Sequence, residues 1–109
     1  MSDIFKADDL EWQPVRPEMT NGVFGKTLLD GIVKIVLTQV TPGGGFLSHR
    51  DPYGHLFYFL VGEGIVRVEG TELRAGPGLV VRVAPGESHS YENRGSGDMN
   101  LISVNLPPR

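Results

Sequence analysis

Short apolar runs separated by turns that contain glycine and proline make up most of the chain after residue 31. Residues 32–40 alternate between apolar and polar positions and are rich in β-branched side chains, and Pro42-Gly43-Gly44-Gly45 follows them. This pattern predicts a strand that ends in a turn. Turn signals recur about every 8–12 residues, the spacing typical of a β-sandwich or β-barrel. The pattern therefore predicts an all-β fold.

Further strands are predicted from the same signals. Residues 55–61 and 65–68 flank Gly62-Glu63-Gly64, and we expect this pair to form a β-hairpin. Residues 79–83, 89–93 and 99–106 supply the last strands. The chain contains no internal repeat and no linker, so a second domain is not expected.

The first thirty residues are polar and irregular by comparison, and they hold Pro14, Pro17 and the single tryptophan, Trp12. We interpret residues 1–31 as an N-terminal arm that packs on a barrel formed by residues 32–109. A short strand at residues 23–29 is expected within the arm.

Both faces of the strand at residues 55–61 are apolar. Because side chains alternate along a strand, His55, Phe57 and Phe59 share one face, and Leu56, Tyr58 and Leu60 share the other. A soluble monomer rarely exposes such a patch, so either the arm or a second copy of the chain must cover the outer face. We therefore expect a homodimer.

Composition excludes several classes of protein and of site. The net charge of −3 is spread over interspersed acids and bases, so neither nucleic acid nor an anionic membrane is an expected partner. There is no run of about 18 apolar residues and no basic segment followed by an apolar one, so a cytoplasmic protein is expected. The absence of cysteine excludes disulfides, thiolate ligands and a cysteine nucleophile.

The three histidines carry the main chemical signal. His49 and Asp51 are two residues apart and share a face if the chain is extended there, His55 lies on the next strand, and His89 can approach from a distant one. Imidazole is the commonest metal ligand in proteins. Three imidazoles and a carboxylate suit Mn, Fe, Zn, Ni or Cu and are a poor set for Mg or Ca. The four residues therefore predict a site for one divalent transition metal.

Other interpretations of these residues stay open. Each histidine is also explained by burial with a hydrogen bond to a backbone carbonyl, in a site that holds no metal. Asp51 precedes Pro52 and is also suited to capping a turn. In that case the site has three histidine ligands and three open positions.

The two histidine-containing segments resemble the motifs of the cupins. The second cupin motif is matched position for position by Gly78, Pro85, Gly86, His89 and Asn93. The first is matched with two changes, since Asp51 stands at its second histidine and His55 at its glutamate. The remaining first-motif positions are matched by His49 and Gly62. The spacing is also similar to that of small manganese cupins that use four histidines.

The resemblance covers roughly residues 32–106 and implies a cupin-type antiparallel β-barrel, also described as a jelly roll or double-stranded β-helix. It further implies a metal-dependent enzyme of dioxygenase or oxidase type that acts on a small, oxygen-bearing organic substrate. A redox-inert lyase, isomerase or cyclase, and a cupin that binds a small ligand without turnover, are the alternatives. The sequence does not separate enzyme from binder, because both need the same pocket. Candidate pocket residues are Gln39, Phe46, Phe57, Phe59, Arg82 and Tyr91.

Overall fold

Antiparallel β-strands form almost all of the computed structural model, which describes residues 2–107. A single turn of 3-10 helix, Ala7–Asp9, precedes the strands. Over the described residues the strands are β1 (Gln13–Pro14), β2 (Thr20–Asp30), β3 (Lys34–His49), β4 (Gly54–Val61), β5 (Gly64–Val68), β6 (Thr71–Ala75), β7 (Val80–Val83), β8 (His89–Asn93) and β9 (Met99–Leu106). The predicted all-β class is confirmed.

The long strand β3 joins the two parts of the sheet. Residues 34–40 of β3 pair with β2 on one edge and with β9 on the other, whereas its last residues pair with β8. The strand order is β6-β5-β8-β3-β9-β4-β7, with β1 and β2 attached beside β3. Because one strand belongs to both parts, the sheet curls around a common interior.

The interior is apolar toward one end and polar toward the other. Along β9, Met99 and Leu101 are fully buried, and the next positions on the same face are Ser103 and Asn105. Phe59 of β4, only 1% exposed, packs in the same apolar core. The change from apolar to polar side chains along one strand face places a polar cavity at the end of the barrel where β9 finishes.

The hairpin predicted around Gly62-Glu63-Gly64 is wrong. β4 pairs with β7 and β9, whereas β5 pairs with β6 and β8, so the connection carries the chain from one part of the sheet to the other. Gly62 has φ +89°, a conformation that glycine adopts without strain, and this allows the change of direction. The hairpin in this region joins β5 to β6 through Glu69 and Gly70, both with positive φ, as hairpin turns require.

The strand near the N-terminus is longer than the expected residues 23–29. β2 contains 11 residues and pairs along β3 from Thr20, opposite Phe46, to Asp30, opposite Lys34. Register shifts between Asn21 and Val23 and between Thr27 and Leu29 interrupt its alternation. A strand with two irregularities loses the period-2 pattern by which it is recognised.

The N-terminal residues pack against β2 through Lys26. The Lys26 ammonium group donates a hydrogen bond of 2.9 Å to the carbonyl of Ala7 and lies 4.6 Å from the centre of the Trp12 ring. Lys26 itself is only 8% exposed. Contact with Ala7 and Trp12 therefore covers this lysine on the sheet.

The outer face of the sheet keeps an apolar surface. We call this surface the outer face, and two rows of side chains across neighbouring strands form it. Its residues are Ile35, Leu37, Leu56, Tyr58, Val80, Ile102 and Val104. Tyr58 is 42% exposed and Val80 is 51% exposed.

Across residues 2–107, no helix has the length and apolar character needed to cross a membrane.

Candidate metal centre

The three histidines and Asp51 meet at the polar end of the barrel interior. His49 is the last residue of β3 and is paired in register with His89, the first residue of β8. His55 enters from β4, and Asp51 lies in the loop between β3 and β4. Strand pairing and one short loop therefore bring together residues up to forty positions apart.

One carboxylate oxygen lies beside all three imidazoles. Oδ2 of Asp51 is 3.1 Å from Nε2 of His49, 2.9 Å from Nε2 of His55 and 3.6 Å from Nε2 of His89. Ligand atoms of His49, Asp51 and His89 all lie within 4.8 Å of one another. His55 lies outside this group of three and contacts it through Oδ2 of Asp51.

The other nitrogen of each ring has a hydrogen-bond acceptor. Nδ1 of His49 is 2.7 Å from the carbonyl oxygen of Leu47, and Nδ1 of His89 is 3.0 Å from that of Glu87. These carbonyls favour the tautomer with the proton on Nδ1, which leaves the lone pair of Nε2 facing the centre. The backbone bonds foreseen for buried histidines do occur, but on the nitrogen that faces away from Asp51.

His55 is oriented by a side chain instead. Its Nδ1 lies 3.1 Å from Oδ1 of Asn105 on β9. An oxygen acceptor behind a histidine ring is the usual companion of a metal ligand, since it fixes the orientation of the ring. Each of the three rings therefore has an oxygen acceptor at Nδ1, a backbone carbonyl for His49 and His89 and a side-chain oxygen for His55.

An unsatisfied nitrogen indicates that these residues fit a metal. Nε2 of His89 is buried and has no hydrogen-bond partner among the described residues. Leaving such a group unpaired costs about 1–3 kcal/mol. A cation at the centre would accept this lone pair together with those of His49 and His55, and the donor set of three nitrogens and one oxygen suits a divalent transition metal.

The protonation states also suit metal binding. Burial lowers the pKa of His89 to about 4. Burial also lowers the pKa of His55, despite its hydrogen bond to Asp51. Burial by itself would raise the pKa of Asp51, but the hydrogen bond with His55 and the charges of His49 and Arg16 lower it overall. His55 and His89 are thus neutral and Asp51 is ionised near neutral pH, as metal ligands must be.

A cavity of about 290 Å³ opens beside the histidines. Three of the pocket candidates predicted from the sequence line it together with the three imidazole rings: Phe46, Phe57 and Tyr91. The Phe46 ring stacks on His49 with a centroid distance of 4.4 Å. Burial raises the pKa of Tyr91, whose hydroxyl is bonded to Ser103. The cavity therefore joins aromatic walls to a neutral hydroxyl donor.

The other three pocket candidates lie elsewhere. The amide nitrogen of Gln39 donates a 3.1 Å hydrogen bond to Asp98, outside the barrel interior. Phe59 belongs to the apolar core. Arg82 is exposed and lines a different cavity, with Val83 and Pro85.

Several polar residues of the cavity were missed by sequence reasoning, among them Arg16, Lys34 and Asn105. Asn105 was detectable, because alternation along β9 places it on the same face as the buried Met99 and Leu101. Arg16 gave no signal, since it lies in an irregular segment without periodicity. Nη1 of Arg16 donates a 3.2 Å hydrogen bond to Oδ1 of Asp51. The other oxygen of that carboxylate, Oδ2, faces the histidines.

A curled antiparallel barrel with three histidines and one carboxylate at one end defines a small jelly-roll protein with a candidate metal centre. The profile of the cupin domain family, Cupin_2, matches residues 36–105. The chain belongs to the cupin family.

A curated relative and several solved structures are similar to this chain. An oxalate-binding protein of Thermotoga maritima is 32% identical over 68 residues, which cover 61% of this chain and 55% of that relative. The chain thus spans little more than half the length of this relative.

Among solved structures, a predicted oxalate decarboxylase from Thermotoga maritima superposes with a TM-score of 0.87 at 23% identity, covering 96% of this chain and 99% of that one. The polyketide cyclase RemF from Streptomyces resistomycificus gives a TM-score of 0.86 at 20% identity, covering 96% and 79%. These two likenesses establish the cupin-type jelly-roll fold that the motifs implied.

Proposed function

We propose that this cupin binds one divalent transition metal through His49, Asp51, His55 and His89, and that it acts there on a small, oxygen-bearing organic molecule. The observation that carries the proposal is the approach of three Nε2 atoms to one Asp51 oxygen, at 2.9–3.6 Å. The adjoining cavity of about 290 Å³ lies at the small end of the range for ligand pockets. Manganese, iron, zinc, nickel and copper all suit the donor set.

The reaction we propose first is of dioxygenase or oxidase type. A bound metal would supply Lewis acidity and, if it is manganese, iron or copper, redox chemistry. The protein would orient His55 through Asn105 and keep water from the reacting face with the rings of Phe46 and Phe57. The Tyr91 hydroxyl, held by Ser103, would offer a neutral hydrogen bond to a substrate oxygen.

Binding without turnover is the second candidate. The observation that favours it is the 32% identity to a protein described as oxalate-binding. A small carboxylate would then be held at the same metal, and the residues that surround it would serve recognition alone. Enzyme and binder differ in whether the bound molecule is converted.

Metal analysis and oxygen uptake separate these candidates. Protein purified without a histidine tag would be analysed for metals by mass spectrometry and then assayed for oxygen consumption with a panel of short carboxylates and hydroxy acids. Manganese, iron or copper together with oxygen uptake would support the oxidative reaction. Zinc or nickel with product formed in the absence of oxygen would indicate a redox-inert lyase, isomerase or cyclase. Stable binding of an unchanged carboxylate would indicate the binder, and a chain that takes up no metal would contradict the proposal.

We also propose that the chain forms a homodimer through the outer face. One apolar row of that face crosses β3, β9, β4 and β7, and the other crosses β3, β9 and β4 and ends at Arg82 of β7. The N-terminal contact at Lys26 lies beside one of these rows. Exposed apolar patches of this kind usually mark an interaction surface. A second copy would bury both rows.

A further inference from the structure

Part of the N-terminal arm contributes to the wall of the cavity. Residues 13–16 line it, and Arg16 is the charged residue among them. The amide of Val15 donates to the carbonyl of Val23 at 3.0 Å, and that of Met19 donates to the carbonyl of Arg16 at 2.8 Å. We call residues 13–19 the strap, because these bonds fix it to β2 on one side of Arg16 and close a turn on the other.

The backbone of Arg16 has an unusual conformation. Its φ is +38°, and among the described residues Glu69 is the other non-glycine residue with positive φ. Such a conformation costs free energy and persists where the surroundings impose it, which is often at a functional site. Glu69 lies in the turn that joins β5 to β6, and Arg16 lies in the connection that joins β1 to its antiparallel partner β2.

The guanidinium group of Arg16 is presented to the cavity with hydrogen-bonding capacity to spare. Nη1 donates to Asp51, Nη2 lies 2.9 Å from Sδ of Met19, and Cζ lies 5.7 Å from the centre of the Phe46 ring. The remaining polar contact joins Nε to Glu18 at 3.7 Å, and Glu18 is 66% exposed. A thioether is a weak acceptor. A ligand oxygen would therefore be a better partner for Nη2 than Met19 is.

The charges lining the cavity are positive. Arg16 and Lys34 line it, and the carboxylate of Asp51 contacts Arg16 and the histidines beside it. The whole chain, by contrast, has a net charge of −3. Positive groups at a concave site in an acidic protein favour entry of an anion. A divalent metal beside Asp51 would increase the positive charge.

From these contacts we propose that Arg16 binds a carboxylate of the ligand and thereby selects short organic acids. This inference rests on the proposed metal site and names its ligand class. Only the carboxylate of Asp51 separates the guanidinium from the imidazoles, since Oδ1 contacts Arg16 and Oδ2 faces the histidines. A molecule that reaches both must carry its second oxygen donor close to its carboxylate, as a 2-hydroxy acid, a 2-oxo acid or a short dicarboxylate does.

The test measures ligand binding to manganese-loaded protein by calorimetry. Oxalate and glycolate are the probes, and glycolamide is the neutral counterpart of glycolate. Arg16→Gln is expected to lower the affinity for oxalate and glycolate about 10-fold or more, because a hydrogen bond to a charged group is worth more than one tenfold step in affinity. Binding of glycolamide should be unchanged. Arg16→Lys should restore part of the affinity, since it keeps the charge but loses the planar fork.

Arg74→Gln is the matched control, since it removes the same charge from an exposed position on β6 and should leave all three affinities as they are. Equal affinity of Arg16→Gln and wild type for oxalate would overturn the inference. Loss of oxalate binding in Lys34→Gln but not in Arg16→Gln would also overturn it, because the anion would then bind to Lys34.

The manganese affinity of each variant is measured first, so that an effect through Asp51 is separated from an effect on the ligand. A wild-type chain that loads manganese but binds neither acid contradicts only the inference about Arg16. A wild-type chain that binds no metal contradicts the proposed function. If the wild-type chain binds no metal, Arg16→Gln and Arg74→Gln are compared by their affinity for oxalate without metal. Equal affinities of the two variants would then overturn the role of Arg16 in addition to the proposed function.

Discussion

Asp51 and His55 face each other across the turn between β3 and β4, with Oδ2 of the carboxylate 2.9 Å from Nε2 of the ring. The backbone carbonyl of Asp51 accepts a hydrogen bond from the amide of Gly86 at 2.8 Å, and this contact anchors the loop. The side chain is thereby free to point at the histidines. Asp51 thus stabilises the turn with its backbone and contributes to the candidate metal centre with its carboxylate.

Replacing Asp51 tests whether it is a ligand. Asp51→Ala should weaken metal binding by about 10-fold or more, because loss of a direct ligand costs at least as much as loss of an outer partner. Asp51→His should retain the metal but shift its redox potential, because a neutral ring replaces a charge that stabilises the higher oxidation state. Metal titration and voltammetry measure the two effects, with Asp98→Ala as the control. If Asp51→Ala binds the metal as tightly as the wild type does, Asp51 is not a ligand and the site has three histidine ligands.

Each histidine is expected to be needed for full metal occupancy. Alanine at His49, His55 or His89 removes one of the nitrogens that face Asp51, so the metal content of folded protein should fall in every single variant. Mass spectrometry of the metal, with circular dichroism as the check on folding, measures this. Wild-type stoichiometry in two of the three variants would show that the site is assigned incorrectly.

The stability of the metal-free protein should fall as the pH is lowered. His89 has a pKa of about 4 in the folded chain, compared with 6.5 ordinarily, so the unfolded state takes up the proton first. The free energy of unfolding should therefore decrease between about pH 6.5 and pH 4, by an amount on the order of 3 kcal/mol. The lowered pKa of Asp51 acts in the same direction at lower pH.

Urea denaturation of protein treated with a chelator, measured at several pH values, checks this expectation. His89→Gln cannot titrate at that position and should flatten the profile. A free energy of unfolding that is constant from pH 7 to pH 5 would mean that His89 is not held neutral by burial.

The outer face should govern assembly. Sedimentation at micromolar concentration is expected to show a species heavier than the 11.9 kDa chain. Tyr58→Asp would place a charge among the apolar rows and should shift the protein toward the monomer. Leu73→Asp, at a similarly exposed residue of β6, should leave the assembly unchanged. Observation of the monomer alone for the wild type would leave the arm as the sole cover of this surface.

Gly64 is expected to be intolerant of a side chain. A Cβ at this position would collide with the carbonyl oxygen of Glu92 and lie 2.7 Å from Sδ of Met99. Gly64→Ala should therefore destabilise the fold by about 1–3 kcal/mol. Gly76, where nothing lies within 4 Å of an added Cβ, is the control, and its change to alanine should stay within about 0.5 kcal/mol. Equal melting temperatures for the two variants would contradict the close packing of β5 on β8 and β9.

The site was more readable than the connections between strands. The positions of His49, Asp51, His55 and His89 could be predicted from alternation along each strand and from the two motifs that contain these residues. The path from β4 to β5 was mistaken for a hairpin, because a short turn containing glycine looks the same whether its strands pair or separate. What decides between them is the pairing with distant strands, which no local pattern encodes.

Arg16 escaped prediction for a related reason. It reaches the cavity only because β1 pairs with β2 and β2 with β3, which brings the strap over the interior. Lys34 and Asn105 differ, since their positions on β3 and β9 follow from alternation once each strand is placed. Residues supplied by regular strands are therefore accessible to sequence reasoning, whereas those supplied by irregular segments require the tertiary structure.

The location of Arg16 in the strap has a consequence for how the ligand preference of such a protein can change. The four proposed metal ligands lie within residues 36–105, which match the cupin profile, and Arg16 lies outside them. If both proposals hold, ligand preference and metal retention are encoded in separate stretches of the chain. Exchanging residues 13–19 alone would then change which acid is admitted, while the four proposed metal ligands stayed in place.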